Sequence, residues 1–119
     1  MNLTFFVGPQ LIGTIMLLAG LVMKYYPPKN INGLYGYRTP RSMANQRNWD
    51  EANKYSAVLM IKLGAAGIAL GVLLLLLLPA AIMPLISAGA TLISLIAIVA
   101  TLLVATERHL KNLSGADAL

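Results

Sequence analysis

Three long runs of apolar residues dominate the chain, and they leave few folds open. Residues 3–23 carry no charge, residues 56–78 contain the string VLLLLLL and one lysine, Lys62, and residues 82–105 are uncharged until Glu107 and Arg108. Each run is close to the roughly 20 apolar residues that cross a bilayer's hydrocarbon core as a helix. A helix satisfies its own backbone donors and acceptors, which an open strand in lipid does not. The runs are unbroken, whereas strands of a membrane barrel alternate apolar and polar residues. Composition agrees. The chain is 58% hydrophobic and 11% charged, against about a quarter charged in an ordinary soluble domain.

The expectation is therefore an all-α integral membrane protein, a bundle of three transmembrane helices forming a single domain over residues 1–119. Helix 1 is expected at about 3–23, a loop and amphipathic helix at about 24–55, helix 2 at about 56–78, helix 3 at about 82–105, and a tail at 106–119. The first run has no charged side chain ahead of it and no small-residue cleavage site, so it reads as a retained helix and not as a secretory signal. Pro79 and Pro84 bracket a short turn between helices 2 and 3.

Charge sets the expected orientation. Lys24, Lys29, Arg38, Arg41, Arg47 and Lys54 lie in the loop segment, and Arg108 and Lys111 in the tail. The turn around Pro79 has no charge. With three spans the loop and the tail share one side, and the positive-inside rule makes that side the cytoplasm, leaving the amino terminus outside. These basic residues are juxtamembrane, which fits topology and anionic lipid and gives no reason to expect nucleic acid. Lys62 lies about 9 Å along the helix from the start of its span, within reach of the headgroups for a snorkelling side chain.

The loop is rich in residues with special backbone roles. Pro27 and Pro28 end helix 1, and Asn32-Gly33 and Gly36 mark turns. Tyr35 and Tyr37 suit the headgroup layer. Thr39-Pro40 reads as an N-cap followed by proline in the first helical turn, which predicts a helical extension from about Pro40 into helix 2. Met43, Gln46, Trp49, Asn53 and Ser56 fall along one of its sides. Arg38 and Arg41 flank the expected helix start, and three uses are open to their guanidinium groups: setting topology against lipid phosphate, pinning the loop to the helix ends, or recognising an anionic partner. In helix 2, Gly64, Gly67 and Gly71 allow close helix approach. That pattern fits packing against helix 3 in the same chain, and it also fits a homo-oligomer.

The loop carries a pattern, Pro-Pro-x-x-x-Asn-x-x-x-Gly-x-Arg-Thr-Pro-x-Ser followed by Trp-x-x-Ala-Asn. Its positions here are Pro27, Pro28, Asn32, Gly36, Arg38, Thr39, Pro40, Ser42, Trp49, Ala52 and Asn53. This stretch resembles the SdpI family of small bacterial membrane proteins, in a short three-span form. The resemblance implies a multi-pass protein of the bacterial inner membrane. The name-giving member protects its producer against a secreted, membrane-damaging peptide, so the implied function is protection from a peptide toxin or envelope stress, with signalling through the cytoplasmic loop. The implied partners are the bilayer, a secreted peptide toxin and a cytoplasmic regulatory protein.

Two other classes compete. A small oligomeric transporter or channel needs polar groups near the midplane, where this chain offers only serine, threonine and glycine. A lipid- or peptide-modifying enzyme needs placed acids, bases or nucleophiles. The candidates are Asp50, Glu51, Glu107 and a single His109, which reads as a solvated interface residue. There is no cysteine and no metal-ligand spacing, so no catalytic residue, metal or cofactor is expected.

Overall fold

The computed structural model describes residues 6–117, with side chains to residue 113. It contains three α-helices in chain order: α1 (Pro9–Tyr25), α2 (Gln46–Leu77) and α3 (Met83–Asp117). Among the described residues there is no strand. The molecule is a rod of 57 × 26 × 19 Å. Helices α2 and α3 are long and apolar enough to cross a membrane. Helix α1, with 17 residues, rises about 26 Å and is the shortest of the three.

The boundaries follow local chemistry. Helix α1 begins at Pro9 and not near residue 3, because proline disfavours helical geometry in the residue before it and is well suited to the first helical turn. Residues 3–5 of the expected span lie outside the described residues. Helix α2 begins at Gln46 and not at Pro40. Its N-cap is Asn45, whose side chain accepts from the Asn48 amide at 2.8 Å. Thr39 and Ser42 instead bond to each other: the Thr39 amide donates to Ser42 Oγ at 2.8 Å and the Ser42 amide to Thr39 Oγ1 at 3.2 Å. Those bonds close a turn over residues 40–43 and compete with helix continuation. Helix α2 stops at Leu77, two residues before Pro79. Helix α3 continues through what was expected to be a tail, since no helix breaker follows Ala105 until Gly115.

Helices α1 and α2 are antiparallel and meet backbone to backbone. A Cβ placed on Gly13 would lie 2.5 Å from the Gly64 carbonyl oxygen, and one on Gly64 would lie 2.6 Å from the Gly13 oxygen. At Gly20 a Cβ would lie 2.9 Å from the Ala57 oxygen, and Gly71 lies against Gln10. The glycines of α2 thus face α1, which corrects the expectation that they pack against helix 3: Gly13 gives α1 a matching small residue, so the two backbones can close on each other there. Small residues permit this approach where lipid gives helices no hydrophobic reason to associate. Helix α3 buries Met83, Ser87, Ser94, Ile98, Thr106 and Leu110 and leaves most of its length exposed.

Candidate functional site

The elements position the signature residues at one end of the rod, where the chain leaving α1 folds back over the first turns of α2. The organising residue is Trp49. It is 0% exposed, and its indole N–H donates to the Pro28 carbonyl at 2.8 Å. One helical turn later, Asn53 is buried and reaches both ways: its Nδ2 donates to the Trp49 carbonyl at 2.9 Å, and its Oδ1 accepts from the Tyr37 amide at 2.7 Å. Gly36 passes between them with φ 118°. A Cβ there would lie 2.6 Å from Asn53 Oδ1 and 2.8 Å from Pro28 Cγ. Glycine is required on both counts.

The rest of the loop is tied down by its own side chains. Asn32 Oδ1 accepts from the Leu34 and Tyr35 amides at 2.9 and 2.7 Å, an Asx turn. Arg38 donates to the Gly33 carbonyl. The Tyr35 hydroxyl donates to the Tyr26 carbonyl at 2.6 Å, stitching the loop to the end of α1. Ser42, fully buried, donates from its hydroxyl toward the Tyr37 and Thr39 carbonyls. Pro27 and Pro40 are exposed in the bends that enter and leave this loop.

Helix α3 closes the cap through Glu107. Its Oε1 accepts from the Tyr37 hydroxyl at 2.8 Å and from Thr39 Oγ1 at 2.7 Å. Arg41 stands 3.7 Å from Oε2 and also reaches the Glu107 carbonyl at 3.4 Å. That ion pair is partly solvated and weak by itself; the two hydroxyl donors fix the carboxylate. Burial, then the hydrogen bond to Glu107 and its negative charge, holds the Tyr37 phenol well above its ordinary range. Tyr37 is thus packed inside the cap, 8% exposed, with its hydroxyl committed to Glu107. A second tie runs beside the first: His109 Nε2 lies 3.3 Å from Glu51 Oε2, and its ring stacks on Tyr55 at 4.4 Å. His109 is an inter-helix contact, while its side chain stays 34% exposed.

Every expected loop position except Pro27 and Pro40 thus makes a bond or close contact within the protein, those of Asn32 and Arg38 at the exposed surface of the loop, and Arg38 and Arg41 both engage the protein itself. The glycines Gly64, Gly67 and Gly71 lie apart, further along α2. The sequence marks Glu51, Glu107 and His109 only as acid–base candidates and Tyr37 only as a headgroup residue; it misses their pairing, and that of Tyr55 with His109. One signal was available: the chain has only four acidic residues, and one standing at the end of an apolar span needs a donor.

Comparison with known sequences covers much of this architecture. The model of the SdpI/YfhL protein family matches residues 29–106, a segment that includes most of the cap loop, all of α2 and α3 as far as Thr106, but not α1, Pro28 or Glu107. The Bacillus subtilis (strain 168) protein YfhL, itself uncharacterized, is 55% identical over 62 residues, covering 52% of this chain and 56% of that protein. No solved structure matches.

Proposed function

The chain belongs to the SdpI/YfhL family, and on that premise we propose that it protects a bacterial cell against a membrane-active peptide, or against the envelope stress such a peptide causes. In this reading it sits in the inner membrane and acts by binding, without catalysis. The observation that carries it is the state of the signature residues. Apart from Pro27 and Pro40 they are occupied in bonds and contacts within the loop, with α2 and with Glu107, so the cap is a preformed platform and not a cluster of free reactive groups. The platform presents outward what recognition uses: Leu34, 93% exposed, with Tyr25 and Tyr26 beside the exit of α1. The positive-inside rule puts this cap in the cytoplasm, opposite to an arriving peptide. The cap then passes a change in the bundle to a cytoplasmic regulatory partner.

A protection assay tests this. Sensitive bacteria expressing the chain, or its Glu107→Ala variant at matched membrane levels, are exposed to a panel of membrane-active peptides. Selective survival that Glu107→Ala abolishes is the expected outcome. Equal killing with and without the wild-type chain, across the panel, rejects the function.

A further inference from the structure

Beside the cap lies a cavity of about 610 Å³, between the exit of α1 and the first turns of α2. Its lining is graded along α2. Gln46 and Asp50 at one end give way to Lys54 and then to Ala57 and Val58; Met23 and Lys24 come from the end of α1, and Lys29 from the loop, where its carbonyl accepts from Gln46 Nε2 at 2.6 Å. Gln46 to Val58 spans about 18 Å of helix rise, comparable to a headgroup with the upper part of an acyl chain. Asp50 accepts from Gln46 Nε2 at 2.8 Å, so the one carboxylate here already has a donor. Among the described residues the ammonium groups of Lys29 and Lys54 pair with no carboxylate, and Lys24 lies over the Tyr25 ring, 5.6 Å from its centroid.

We propose that this cavity is a binding site for one anionic phospholipid. The phosphate lies among Lys24, Lys29 and Lys54, and an acyl chain lies along Met23, Ala57 and Val58. Charge complementarity selects the anion: three cations and one already bonded carboxylate line the site. The apolar end selects a lipid over free phosphate, because phosphate would leave that end bare. Asp50 at the polar end disfavours a headgroup with a second negative charge. The inference rests on the membrane placement proposed above but not on peptide protection.

The chain carries its own reporter. Trp49 is the sole tryptophan, and it bonds to Pro28, which lines the cavity. The full chain in neutral detergent is titrated with phosphatidylglycerol or phosphatidylcholine brominated on the acyl chain, and Trp49 quenching is read. Quenching by phosphatidylglycerol at mole fractions where phosphatidylcholine has no effect is expected. The Lys29→Ala/Lys54→Ala pair is expected to weaken it about ten-fold, with Lys29→Arg/Lys54→Arg retaining it. The control pair Lys62→Ala/Lys111→Ala leaves it unchanged. Equal weakening by both alanine pairs means general surface attraction and overturns the site. Displacement by millimolar inorganic phosphate overturns the lipid assignment. Killing of cells in the protection assay with selective quenching intact rejects the protective function alone.

Discussion

Gly36 shows how little freedom single residues have in the cap. Its φ of 118° is one an L side chain rarely adopts, and a Cβ would also strike Asn53, Pro28 and Trp49. Gly36→Ala is expected to destabilise the protein by about 1–3 kcal/mol. Gly33→Ala, with no neighbour within 4 Å of its Cβ, is expected to be nearly silent. Thermal unfolding in detergent compares them, and equal shifts would contradict the described path of the loop. Tyr37 makes a second prediction. Its pKa is raised in the folded state, so the native chain holds the phenolic proton more tightly than the unfolded chain does. The associated stability is complete below about pH 10 and is lost as pH rises above it. Tyr37→Phe, although less stable at neutral pH through loss of the bond to Glu107, should lose less stability than wild type between about pH 9 and 11. Parallel pH dependence in both proteins would rule this out.

At the level of elements, the joint between α1 and α2 is made of backbone, and its tolerance is correspondingly small. Gly13→Leu or Gly64→Leu forces the helices apart and is expected to destabilise by about 1–3 kcal/mol or more. Leu18→Ile, on the exposed side of α1, should change little. Unfolding midpoints in one detergent decide between them. The helices themselves were legible in the sequence, because long apolar runs admit no other regular structure in lipid. Their ends were less so. Pro9 was a visible stop that the apolar run overshadowed, and Thr39-Pro40 imitates a helix start that Ser42 diverts into a turn. Asn45, the true cap, is as good an N-cap residue as threonine and differs only in what its neighbours do.

For the whole molecule, the sequence pointed to the cap residues but not to their closure. Tyr37 and Glu107 are 70 positions apart, and no local pattern announces a bond between them. Likewise Gly64, Gly67 and Gly71 showed a packing face, but the helix expected to fill it was α3 and the one that does is α1. The orientation proposed for the molecule is open to direct measurement, since the chain has no native cysteine. Ala80→Cys in the turn after α2 is expected to react with a membrane-impermeant maleimide in intact cells. Asn112→Cys, near the end of α3, should react only after lysis. The reverse pattern would put the cap outside and move the proposed cytoplasmic partner with it.

The glycine seam has a consequence for descent. A contact between two large side chains can be repaired after a mutation, one residue shrinking as the other grows. Gly13 and Gly64 face each other with neither able to shrink, so no compensating exchange exists. Among related chains this joint can leave only a record of constancy. This backbone contact is thus one that correlated substitution, the usual trace of residues in contact, has no means to reveal.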